Sequence, residues 1–142
     1  MKVCLIVDNP KRDLDGLILV GLGLMHKGIK VIFVPMYDWH EVFFIKPDLV
    51  LLNYVRIANK KLVSKCKKLN IAIGVLDTEG GIVKDVDSHF SKITTYFKNI
   101  DFYCTWGRKQ YNAIMKLNLF INEEVVLTGC PRYDFGAKPL KS

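Results

Sequence analysis

The apolar run Ile71–Leu76 (IAIGVL) is continuous rather than alternating, and it ends abruptly in Asp77-Thr78-Glu79-Gly80-Gly81. A continuous run is the pattern of a strand buried on both faces, as in parallel sheets covered by helices. Carboxylates and glycines at the end of such a strand fall in the crevice beyond the carboxyl ends of the strands, where open α/β sheets hold their ligands. Glycine lets the backbone turn sharply and approach a ligand closely. A carboxylate there can accept a proton or hydrogen-bond a hydroxyl-rich substrate. The same segment also reads as a plain turn with solvated acids.

Strand and helix signals alternate along the rest of the chain. Lys2–Asp8 reads as a strand, followed by the turn Asn9-Pro10 and a helix from about Leu14 to Lys27, which Gly28 is placed to stop. A second strand, Ile29–Pro35, precedes a short helix Asp38–Ile45 capped by Asp38. Pro47-Asp48 opens a third strand, Leu49–Asn53. The helix Asn59–Leu69 follows, with Leu62, Val63, Cys66 and Leu69 on one face. Beyond the acidic glycine segment, Asp87–Phe97 is expected to be helical with Phe90, Ile93 and Phe97 on one side. Asp101–Trp106 is a fifth strand, Lys109–Leu117 a helix and Glu124–Leu127 a sixth, short strand. This βα alternation predicts an open parallel sheet with helices covering it.

With 142 residues, 50% hydrophobic and 25% charged, the chain has the size and balance of one globular domain. Its longest apolar stretch, Gly16–Met25, is about half the roughly 20 residues a membrane crossing needs. Asp15 and His26-Lys27 bracket that stretch, so it reads as a buried helix. Met1-Lys2 leads straight into a strand with no small-residue cleavage site behind it, which predicts a cytoplasmic protein. Cys4, Cys66, Cys104 and Cys130 are widely spaced, and His26, His40 and His89 lie apart, so neither a disulfide framework nor a metal site is expected. The net charge of +7 favours anionic partners. Much of it comes from Lys60, Lys61, Lys65, Lys67 and Lys68 on one helix, a solvated face or a docking patch for anionic lipid at the inner face of the membrane. The lysines lack interleaved aromatics and no recognition motif is present, which argues against nucleic acid.

Several α/β functions are excluded by their motifs. A dinucleotide fingerprint would place GxGxxG directly after the first strand, where this chain has Asp8-Asn9-Pro10-Lys11. Gly21, Gly23 and Gly28 have the wrong spacing and are explained by close helix packing. A phospho-receiver needs acids at the ends of its first and third strands, and the third ends in Asn53. Neither a Walker motif nor a GxSxG elbow is present. No cofactor is expected.

Three motifs in order narrow the reading. The first is Arg12-Asp13-Leu14-Asp15-Gly16, followed by Lys27-Gly28 and Val34-Pro35-Met36. The second is Asp77-Thr78-Glu79-Gly80-Gly81. The third is Trp106-Gly107 with Gln110, followed by Thr128-Gly129-Cys130-Pro131-Arg132-Tyr133-Asp134. From about Val3 to Asp134 the chain resembles the amino-terminal half of bacterial surface carbohydrate biosynthesis proteins, a GT-B-like glycosyltransferase group. The family pattern near the end looks like T-G-N-P-R-[FY]-D, from which Cys130 departs.

The resemblance implies a Rossmann-like open parallel sheet with helices on both faces, spanning residues 1–136, with 137–142 as the start of a linker or tail. It further implies an acceptor-side domain for a sugar or lipid-linked saccharide, the nucleotide-sugar donor being held by a second domain this chain lacks. Alone it is then expected to be inactive and to bind donor poorly. Two other readings stand beside it: half of a nucleotide-sugar epimerase, and a non-catalytic carbohydrate-binding or scaffold domain.

Inverting sugar transfer needs a base for the acceptor hydroxyl. Glu79, beside Gly80 and Gly81, is the better candidate, with Asp77 orienting it or tuning its pKa by like-charge proximity. Arg12 either meets an acidic sugar or phosphate through its planar fork or pairs with Asp13 or Asp15, which can also serve the first helix turn. Trp106 either stacks on a sugar ring or packs at the rim. Arg132 and Asp134 are expected to pair and hold the last turn, with Gln110 and Arg132 among the substrate-binding residues of the motif set.

Overall fold

Six strands form one sheet whose pairings are all parallel. They are β1 (Lys2–Val7), β2 (Lys30–Pro35), β3 (Leu49–Leu52), β4 (Ala72–Leu76), β5 (Phe102–Thr105) and β6 (Val125–Leu127), in the spatial order β2-β1-β3-β4-β5-β6. The computed structural model describes residues 1–78, 84–90 and 98–136. The expected tail, 137–142, lies outside them. The chain winds outward from β1 to β2, then returns past β1 to β3 and continues the other way. The carboxyl ends of β1 and β3 therefore flank a topological switch point, the crevice where open α/β sheets bind ligands.

Alternation along β1 divides the core into two layers. Val3, Leu5 and Val7 pack with Leu17 and Leu51 beneath helix α1 (Pro10–His26). Cys4 and Ile6 point the other way, into a larger cluster with Val42 of α2 (Glu41–Ile45), Leu62, Val63 and Cys66 of α3 (Lys60–Lys68), and Ala113 and Ile114 of α4 (Arg108–Met115). Helices thus cover both faces, and β1 is buried throughout, as its unbroken apolar sequence requires.

Several boundaries differ from the sequence reading for local reasons. α1 starts at Pro10 rather than Leu14, because proline at the first helical position lacks only an N–H that would be orphaned anyway. It ends where expected. Gly28 has φ 76°, and the Gly28 and Ile29 N–H groups donate to the Met25 and Leu24 carbonyls in a Schellman closure. Asp38 caps no helix: it sits inside a 3₁₀ turn, Met36–Asp38, and α2 begins three residues later without a side-chain cap. Leu69 is 52% exposed rather than in the core, because α3 stops at Lys68 and the chain turns through Asn70 at φ 55°. Residues 86–90 are helical and Phe90 is buried, whereas Ile93 and Phe97 lie outside the described residues. Gly21 does serve close packing, since a Cβ there would sit 3.0 Å from the Phe33 ring, but Gly23 faces open space.

Gly16 is the glycine on which the site depends. A Cβ at this position would lie 2.8 Å from the Arg132 nitrogen and 3.0 Å from its Cα, so the 3₁₀ turn Pro131–Gly136 rests directly on α1. The opposing atoms are backbone and cannot swing aside. Gly16→Ala is therefore expected to displace that turn and cost about 1–3 kcal/mol as overpacking. A urea titration checks this, and an unchanged midpoint would mean the turn is not held by this contact.

Candidate functional site

Asp77 follows the last residue of β4 and is only 5% exposed. A carboxylate taken out of water needs donors aimed at it. Two come from elements that β4 leads to. Tyr103 on β5 donates from Oη to Asp77 Oδ2 at 2.5 Å, and Gln110 on α4 donates from Nε2 to the same oxygen at 3.1 Å. The Trp106 indole N–H donates to the Asp77 backbone carbonyl. Gln110 Oε1 in turn accepts the Trp106 backbone N–H at 2.7 Å, so β4, β5 and α4 close on one another around Asp77. The Tyr103 ring is fully buried, edge-on to Phe90 and Phe120 at 5.9 and 6.4 Å between centroids. Burial, and then the Asp77 carboxylate, push the Tyr103 hydroxyl well above its ordinary value of 10.0, while the charge of Arg56 acts the other way.

A second polar cluster lies at the switch point. Asp13, in the first turn of α1, is 1% exposed. Arg12 grips it through both oxygens, Nε to Oδ1 at 2.6 Å and Nη2 to Oδ2 at 2.8 Å, and also reaches Asp8 Oδ2 at 3.1 Å. Asp13 Oδ2 accepts the Asn9 N–H and the Asn53 side-chain amide, each at 3.1 Å. Asn53, just past β3, accepts the Thr78 N–H on its backbone carbonyl at 2.9 Å. Asn53 thus carries the connection from α1 to the residue after Asp77.

Three polar atoms near this cluster are buried without a partner: Asn53 Oδ1, Thr78 Oγ1 and Arg132 Nη1. Thr78 and Arg132 line a small cleft with Asp13, Gly16, Leu17, Leu76 and Pro131. Its space of about 10 Å³ is the size that admits one water or one hydroxyl group. Unsatisfied buried groups are rare in folded proteins, and their concentration here leaves hydrogen-bonding capacity open at this crevice. A wider cavity of about 470 Å³ lies at the opposite edge of the sheet, between Phe43, Lys46, Asp48 and Leu69, and shares no residue with this cluster.

The expected site residues therefore fall into three groups. Asp77, Trp106 and Gln110 are brought together, and Arg12 and Asp13 are joined to them through Asn53 and Thr78. Arg132 reaches the same cleft from the last turn. Glu79, Gly80 and Gly81 lie outside the described residues.

Arg12 forms the expected ion pair with Asp13 and also pairs with Asp8. The expected Arg132–Asp134 pair does not form. The Arg132 guanidinium instead stands 5.2 Å from the Tyr133 ring, and Trp106 meets that ring edge-on at 5.3 Å. Trp106 thus ties the end of β4 to the last turn, through its N–H to the Asp77 carbonyl and its ring against Tyr133. Asn53, Tyr103 and Thr78 were not singled out as site residues from the sequence. Asn53 carried a signal, a polar residue closing an apolar strand, and so did Tyr103, whose hydroxyl needs a partner inside a buried strand. Among the described residues no group of three or more His, Cys, Asp or Glu is placed to hold a metal ion. The four cysteines are buried free thiols, and burial pushes Cys4 to about 11 and Cys66 to about 12.

Tyr103→Phe keeps the ring and removes the donor to Asp77, with an expected loss of about 1.5–3 kcal/mol, the range for hydrogen bonds to charged groups. The raised Tyr103 value also fixes a pH sign. Its contribution to stability is complete below 10.0, the unfolded value, and is lost as pH rises through the higher folded one. Cys4 and Cys66 act in the same direction from 9.0 upward. Melting temperatures of the wild type should thus decline above about pH 9, with the part above pH 10 reduced in the variant. Identical alkaline profiles would remove Tyr103 from the account.

No family model matches the chain, and no curated protein matches it. Solved structures do. S. aureus MnaA in its structure with UDP superposes with TM-score 0.67 at 15% identity, over 99% of this chain and 48% of that one. A Listeria monocytogenes structure assigned as a UDP-N-acetylglucosamine 2-epimerase gives TM-score 0.63 at 10% identity, over 87% and 43%. MurG from Acinetobacter baumannii gives 0.54 at 11% identity, over 92% and 45%. The chain spans about half the length of the structures it matches. At these identities the likeness establishes the fold, a Rossmann-like α/β unit of the kind found in GT-B enzymes.

Proposed function

We propose that this chain is the acceptor-side, amino-terminal unit of a GT-B-type nucleotide-sugar enzyme, a glycosyltransferase of surface polysaccharide synthesis. A sugar or lipid-linked saccharide binds here, and a second Rossmann-like unit holds the donor nucleotide. One observation carries this reading. Asp13 and Gly16 of the first motif, Thr78 of the second and Arg132 of the third line one cleft at the carboxyl edge of the sheet, where Thr78 Oγ1 and Arg132 Nη1 have no partner among the described residues. In this reading Glu79 is the base for the acceptor hydroxyl, Gly80 and Gly81 make room around it, and Asp77 fixes the strand end from which it leaves. A nucleotide-sugar epimerase half is the second reading, favoured by the higher TM-scores to MnaA with UDP and to the Listeria structure than to MurG.

Calorimetry on the purified chain with UDP and with UDP-, GDP- and CMP-linked sugars tests the division of labour. Negligible heat up to millimolar ligand is the expected result. Micromolar binding would overturn it and move donor recognition onto this unit.

The same proposal places the chain at an anionic membrane surface. Lys61, Lys65 and Lys68 follow one another at helical spacing along exposed positions of α3. Lys65 Nζ stands 4.0 Å over the Phe43 ring, which sets this stripe beside α2 and its Phe44, 80% exposed. A juxtamembrane lysine contributes about 1 kcal/mol on an anionic surface. Flotation with vesicles containing phosphatidylglycerol should carry the chain, and Lys61→Glu/Lys65→Glu/Lys68→Glu should abolish this. Equal binding to neutral phosphatidylcholine vesicles, or none to either, would reject the membrane partner.

A further inference from the structure

Two charged side chains line the cleft between α1 and the last turn, Asp13 and Arg132, and they are in opposite conditions. Asp13 is saturated. It is 1% exposed, Arg12 holds both its oxygens, and Oδ2 also accepts the Asn9 N–H and the Asn53 amide. Arg132 has no carboxylate partner among the described residues. Asp134 does not pair with it, its guanidinium stands 5.2 Å from the Tyr133 ring, and Nη1 is buried with no acceptor. Thr78 lines the same cleft, is 6% exposed, and has its Oγ1 buried without a partner. The rest of the lining is Gly16 and the apolar Leu17, Leu76 and Pro131. A charged donor in such surroundings has lost hydration with no return until an acceptor enters.

The open groups in this cleft are therefore two donors, one of them cationic. The space among the lining residues, about 10 Å³, takes a single oxygen atom. An anionic oxygen is the match, because a hydrogen bond to an ionised acceptor is about twice as strong as a neutral one. A phosphate group would bring more oxygens than these donors can serve. A carboxylate can seat one oxygen and leave the other in water. We propose that the ligand of this crevice is an acidic saccharide, whose carboxylate places one oxygen between Thr78 Oγ1 and Arg132 Nη1. This rests on the reading of the crevice as a saccharide site. Both donors stand ready for the ligand. The 131–136 turn that carries Arg132 rests on α1 at Gly16, and the Thr78 N–H is fixed to the Asn53 carbonyl at 2.9 Å. Groups already held in place lose little freedom when the ligand arrives.

Nuclear magnetic resonance titration of the chain tests this with three probes: glucuronate, its uncharged methyl ester, and glucose 1-phosphate. Glucuronate should bind about ten- to a hundredfold more tightly than the ester, the factor a charge-assisted hydrogen bond supplies. Arg132→Gln should erase that difference and leave ester binding as it was. Thr78→Val should weaken glucuronate binding with the melting temperature unchanged or raised, since it removes a buried hydroxyl that has no partner in the free chain. This second variant decides the matter even if Arg132→Gln does not fold. Equal binding of glucuronate and its ester would overturn the proposal and leave the saccharide reading standing. Tighter binding of glucose 1-phosphate than of glucuronate, or a preference for glucuronate that survives Arg132→Gln, would overturn it as well. A lower melting temperature in Thr78→Val with glucuronate binding unchanged would give Thr78 a purely structural role and reject the proposal. Binding of none of the three would overturn both the proposal and the saccharide reading.

Discussion

Asp77 carries a carboxylate into the interior at the end of a central strand, and such a group is tolerated there only while donors point at it. The surrounding structure is arranged to supply them. Tyr103 must stand on the inward side of β5, which fixes the parity of that strand. Gln110 must lie in the first turns of α4, which fixes where that helix starts relative to β5. Trp106 between them turns its indole back onto the Asp77 carbonyl. Removing any one donor leaves a buried acceptor short, so the three elements hold their mutual positions more firmly than apolar packing alone would require.

The next residue performs the opposite task. Thr78 gives its N–H to Asn53, and Asn53 gives its amide to Asp13, which Arg12 grips from the other side. Neighbouring residues at the end of β4 are thereby tied to opposite halves of the sheet, Asp77 to β5 and α4, Thr78 to β3 and α1. The segment that begins at Glu79 thus leaves from a point fixed in two directions. Gly16 completes the frame by letting the 131–136 turn lie against α1, which brings Arg132 to the same cleft.

Much of this fold was legible in the sequence because its signals are local. Continuous apolar strands, helical spacing in α3 and the glycine closure of α1 need no knowledge of distant residues. What escaped was what depends on tertiary partners. The start of α1 was misplaced because Asn9-Pro10 reads as a turn until Pro10 is seen to occupy the first helical position. Leu69 fits the helical stripe of α3 but falls one residue beyond its end. Arg132 and Asp134 are near in sequence and opposite in charge, yet the turn they share points Arg132 into the cleft and away from its neighbour. Tyr103 and Asn53 acquire their meaning only from Asp77 and Asp13, which lie 26 and 40 residues away.

The environment of Asp77 bears on what its carboxylate can do. A base must touch the proton it removes. Asp77 is 5% exposed and its Oδ2 accepts two hydrogen bonds, from Tyr103 and from Gln110, so that oxygen is committed to holding β5 and α4 in place. Through that oxygen Asp77 positions the end of β4. The buried polar atoms left without a partner among the described residues are Thr78 Oγ1, Asn53 Oδ1 and Arg132 Nη1. Thr78 is two residues past β4, so this open hydrogen-bonding capacity lies at the carboxyl edge of the sheet.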